Sequence, residues 1–97
     1  MFIPWSGVPA YFAARSWTEP VTNEIITREI GRRLAERRRD LDLSLADVAA
    51  RCGVSLQQIH KYERGQSTVS APMLFRLAAC LEVPVSWFFA GLEAEGA

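Results

Sequence analysis

Two helix-start signals stand eleven residues apart: Ser44-Leu-Ala-Asp47 and Ser55-Leu-Gln-Gln58, with Gly53 between them. In each, the serine hydroxyl can accept from the amide three residues on, and the side chain at that third position can accept from or cap the serine's own amide. Leu45, Val48, Ala49 and Cys52 recur at i, i+3, i+4 and i+7, the apolar stripe of a short amphipathic helix. Gly53 suits the left-handed residue that closes such a helix. The spacing therefore predicts two short helices, about 44–52 and 55–64, joined by roughly three residues. Helices joined that tightly must cross steeply, because the link is too short to let one turn back alongside the other.

The flanking periods supply the walls for that corner. From Asn23 to about Asp40, Ile26, Ile30 and Leu34, with Leu41 just beyond, recur at helical multiples among basic residues, predicting a first helix. Gly65 closes the third helix, and Ser70 is the next cap, with Pro72 tolerated in the first turn that follows. Leu74, Leu77, Ala78 and Leu81 form the buried stripe of a fourth helix, and Pro84 begins a short fifth, "VSWFFAG", ended by Gly91. The expected fold is all-α: five helices packed as one compact domain over 23–91, with an acidic tail at 92–97.

The chain of 97 residues is long enough for one core and short for two. It has no run of about eighteen apolar residues to cross a bilayer. Its N-terminus lacks the basic start and apolar segment of a secretory leader, so a cytoplasmic protein is expected. Residues 1–22 carry Phe2, Trp5, Tyr11, Phe12 and Trp17 broken by Pro4, Gly7, Pro9 and Pro20. No helical or strand period fits them, and a docking arm explains so many aromatics better than a solvated tail.

Cys52 and Cys80 have no further cysteine or histidine at metal-ligand spacing, so no metal is expected and both are read as small core residues. His60, the sole histidine, has no nucleophile or carboxylate partner at a readable spacing. With no glycine loop to cradle phosphates either, neither an enzyme nor a cofactor is expected. Net charge is zero, but its distribution is uneven. Between Arg28 and Arg64, nine basic residues oppose six acidic ones, whereas from Gly65 to Ala97 one basic residue faces three acidic ones. The middle of the chain is its electropositive part.

At roughly 100° per residue, the third helix separates two faces. Ile59, Tyr62 and Glu63 fall together, and Gln57, Lys61 and Arg64 fall opposite, flanked by Gln58 and His60. Glutamine and lysine at this spacing on a solvated helix would be ordinary in isolation. A carboxylate on the apolar face needs a partner, because leaving it unpaired there would cost several kcal/mol.

In order along the chain, "IGRRLAERRRDL", "LSLADVAARCGVS", "QQIHKYERG" and "LFRLAACLEVPVSWFF" resemble the phage-repressor type of helix-turn-helix domain, the Cro/C1 or XRE family of transcriptional regulators. The resemblance runs from about Glu29 to Phe89, and "YERG" after the two motif helices is its strongest local signal. It implies a five-helix domain that binds double-stranded DNA as a homodimer on a palindromic site, the second motif helix in the major groove.

The same resemblance implies residue roles. Base edges would be met by Leu56, Gln57, Gln58, His60 and Lys61: glutamine suits adenine, lysine suits guanine, and leucine can touch a thymine methyl. Phosphates would be met by Ser44, Ser55, Arg64, Gln66, Ser67 and Thr68. The family's matching glutamate pairs with an arginine near the end of helix one, which implies an ion pair between Arg38 and Glu63. A glutamine common at the first turn of helix two is Leu45 here, a departure that shifts weight to Arg64 and helix one. Trp87, Phe88 and Phe89 are dimer candidates, with at least one expected in the core. The alternative function is an antitoxin or adaptor that acts mainly through a protein partner, engaged by the N-terminal arm.

Overall fold

The structure, a computed structural model, describes residues 22–92. The arm expected at 1–22 lies outside the described residues except for Thr22, as does the tail from 93 onward. Four α-helices follow in order: α1 (Asn23–Asp40), α2 (Leu45–Cys52), α3 (Leu56–Glu63) and α4 (Ala71–Leu81). A five-residue 3₁₀ helix, Val85–Phe89, stands where a fifth α-helix was expected. Its first residue follows Pro84, which offers no side-chain cap, and so short a segment makes only a single tight turn before Ala90 leaves helical geometry. No strand occurs among the described residues.

Each α-helix begins on a hydroxyl. Thr22 accepts from the amide of Ile25 at 3.2 Å, Ser55 from Gln58 at 3.0 Å and Ser70 from Met73 at 3.2 Å. At α2 the box is reciprocal: the Asp47 amide donates to Ser44 Oγ at 2.9 Å and the Ser44 amide to Asp47 Oδ2 at 2.8 Å. These amide and hydroxyl contacts hold the Asp47 carboxyl below its usual range. Gly53 ends α2 at φ 72°, in the left-handed region. Glu82 ends α4 in that same region at φ 59°, without glycine's freedom to adopt it.

The helices enclose one core. Leu34, Val48, Ile59, Leu77, Leu81 and Phe88 are fully buried, one or more from every element. Removing such a side chain from water contributes about 1.5–3 kcal/mol each. Phe88, a dimer candidate from sequence, is therefore a core residue, its ring stacked edge-to-face on Trp87 at 5.1 Å between centroids. Leu92, assigned to the acidic tail from sequence, is also buried, because Gly91 at φ 85° turns the chain back after the 3₁₀ helix.

The crossing of α1 over the end of α3 decides how the motif is presented. Gly31 is buried there, and a methyl group on it would overlap the carbonyl oxygen of Tyr62 and come within 2.8 Å of that of Glu63. The backbones meet with no side chain between them.

Candidate nucleic-acid interface

Helix α3 anchors itself through Ile59, fully buried, and Tyr62, nearly so. Because these two lie on one side, the other side is delivered to solvent: Gln57, His60, Lys61 and Arg64 are exposed, and Leu56 is 43% exposed. Ser44 and Ser55, at the starts of α2 and α3, are exposed, as are Gln66 and Thr68 in the loop after α3.

Gln58 behaves differently from its neighbours. Its side-chain amide donates to Ser67 Oγ at 3.0 Å, and both residues are half-buried. In this arrangement Gln58 ties the 66–68 loop to the first turn of α3. The position is at the edge of the arc, close enough to the loop for the Ser67 hydroxyl to accept from it.

Opposite the exposed face, Arg38 and Glu63 meet. Arg38 Nε donates to Glu63 Oε2 at 2.6 Å and Nη2 to Oε1 at 3.1 Å, while Nη1 donates to the Leu43 carbonyl at 2.9 Å. The side chains retain 13% and 6% of their exposure. The hydrogen bond that Arg38 donates to Glu63, acting against the cost of burial, raises the Arg38 pKa. The guanidinium thus joins α1, the α1–α2 loop and the end of α3, and holds the outward face of α3 at a set angle.

The remaining basic run of α1 is partly committed as well. Arg37 Nε donates to the Leu81 carbonyl at the end of α4, and Arg33 Nη1 to the Trp87 carbonyl, both at 3.0 Å. Within "RRRDLD" only Arg39 keeps an exposed cation, so the strip is not one solvated charged face. Sequence spacing carried no signal for these bonds, since the acceptors are backbone carbonyls of distant elements.

Among the described residues, no group of three or more His, Cys, Asp or Glu side chains could hold a metal ion, and no helix is long and apolar enough to cross a membrane. Cys52 is buried, and burial together with neighbouring Cys80 pushes its thiol up to about 11, away from thiolate chemistry. Trp87 and Phe89 are half-buried, which leaves part of each ring at the surface.

Comparison with known proteins converges on this geometry. A helix-turn-helix family model, HTH_3, matches residues 34–88. A transcriptional regulator in the ATPase CF(0) region of Rhodospirillum rubrum is 44% identical over 68 residues, which cover 70% of this chain and 63% of that protein. The restriction-modification controller protein C.AhdI from Aeromonas hydrophila superimposes with a TM-score of 0.63 at 30% identity, covering 65% of this chain and 96% of its own. An HTH_3 family transcriptional regulator from Vibrio cholerae gives a TM-score of 0.68 at 31% identity, covering 76% of this chain and 42% of its own. The chain thus spans less than two thirds of the length of the Rhodospirillum relative. With the matched region running from α1 through both motif helices to Phe88, the chain belongs to the HTH_3, or XRE-type, helix-turn-helix family.

Proposed function

We propose that this protein is a transcriptional regulator that binds double-stranded DNA in a sequence-specific manner, with α3 as the recognition helix in the major groove. The observation that carries the reading is the pairing of an exposed polar face, Gln57 and Lys61 with Leu56 and His60 beside them, with a helix immobilised from behind by Arg38 and Glu63. A base-reading side chain needs a rigid platform, and this one is clamped at the end of the helix. Gln57 offers a bidentate amide to adenine and Lys61 a donor to guanine N7 and O6. Ser44, Ser55, Arg64, Gln66, Ser67 and Thr68 meet the phosphates on either side, which sets register without reading sequence.

One short recognition helix reads few bases, so the proposal includes a homodimer on a palindrome with half-sites about one helical turn apart. The partly exposed rings of Trp87 and Phe89, next to Val85 at 38% exposure, are its proposed contact.

The test is selection from sheared genomic DNA: recover the fragments that the purified protein retains, sequence them, and repeat with Gln57→Ala/Lys61→Ala. Enrichment of a shared palindrome, lost in the double variant, is the expected result. Retention of random fragments alone, or of none, would refute sequence-specific regulation.

A further inference from the structure

The loop that closes α3 has a second wall. Gly65, at φ 69°, lies so close to α1 that a methyl group on it would stand 3.1 Å from the Cα of Arg28. This close approach opens a cleft of about 260 Å³ between the first turns of α1 and the loop, lined by Thr27, Arg28, Gln66, Ser67 and Thr68 among others. Apart from Gly65 its lining residues are polar or charged, and its cation is Arg28, an exposed residue that sequence spacing did not single out. Glu24 also lines it, so the cleft is neither a simple basic patch nor an apolar docking groove.

We propose that this cleft takes a backbone phosphate of the bound duplex, the one that the loop after α3 meets, with Arg28 supplying the charge and the Thr27 hydroxyl joining those of Ser67 and Thr68 as donors. The inference rests on the DNA-binding reading above and extends its footprint onto α1. The loop is the shared element: Gln58 of α3 holds Ser67 from one side, and Arg28 stands over Gly65 on the other. A phosphate track that follows α3 into the loop therefore runs on toward the arginine. Guanidinium geometry matches two phosphate oxygens at once.

The experiment measures affinity for the selected palindrome and for a random duplex across a series of salt concentrations, using the full chain, Arg28→Gln, and Arg76→Gln as a control that removes an exposed charge from α4. Releasing one phosphate contact lowers the slope of log affinity against log salt by about 0.9 per subunit. Arg28→Gln is expected to show that loss, with affinity falling roughly three- to tenfold alike on both duplexes, because a phosphate carries no sequence. Arg76→Gln is expected to keep the wild-type slope. An unchanged slope for Arg28→Gln, or an equal fall for Arg76→Gln, overturns the cleft as a phosphate site while the Gln57 and Lys61 result still stands by itself. Wild-type protein that binds neither duplex overturns both readings at once. Thermal unfolding of each variant, expected to match wild type, separates lost contact from lost fold.

Discussion

The guanidinium of Arg38 grips the carboxylate of Glu63 through two hydrogen bonds while its third nitrogen holds the Leu43 carbonyl. One side chain thereby spans three pieces of backbone that the sequence separates. Breaking one member leaves the other charge with little water to replace its partner, so Glu63→Ala is expected to destabilise the fold by about 3 kcal/mol. Chemical denaturation should report the loss. A double replacement by apolar residues of similar size should recover part of it, since the uncompensated charge causes most of the penalty.

Gly31 sets the distance between α1 and α3. An alanine there meets two backbone carbonyls, which cannot rotate away as a flexible side chain can. Gly31→Ala should cost about 3 kcal/mol and weaken DNA retention at temperatures where the variant remains folded. A melting temperature equal to wild type would show that the crossing has slack.

Glu82 occupies a left-handed position that glycine takes without steric cost. Glu82→Gly is expected to raise stability by about 1 kcal/mol, the relief of that conformation less the added freedom of the unfolded chain. The residue is exposed at the end of α4, so DNA affinity should not change.

On the outer face of α1, hydrogen bonds from Arg32 and, behind them, from Arg33 overcome the cost of burial and lower the Glu29 carboxyl from 4.5 to about 2. The folded state therefore binds this proton more weakly than the unfolded state. The stabilisation is present above the unfolded value of 4.5 and is lost as pH falls from there toward 2. Glu29→Gln should flatten the acid limb of the stability curve in that window and leave the slope above pH 6 unchanged. Because Arg32 is largely exposed, salt should reduce the effect.

Local chemistry wrote the helix boundaries into the sequence. Ser44, Ser55 and Ser70 cap the amides of residues three positions on, and Gly53 closes α2 by its own backbone freedom, so each decision is made within a few neighbouring residues. The apolar stripes of α2 and α4 were legible for the same reason: periodicity within one helix states which face is buried. That Glu63 needed a partner also followed from its face of the helix, but its pairing with Arg38, twenty-five residues away, came from family resemblance and not from spacing. Only the tertiary structure decided which distant groups meet. The packing of α1 against the 3₁₀ helix and the end of α4 brings Arg33 and Arg37 to carbonyls of those elements, and the fold of the loop turns Gln58 toward Ser67. Among the three consecutive aromatics, the single turn after Pro84 sends Phe88 inward and leaves Trp87 and Phe89 at the edge. Composition is identical for core and surface in such a run, and the direction of each ring depends on the path of the backbone beneath it.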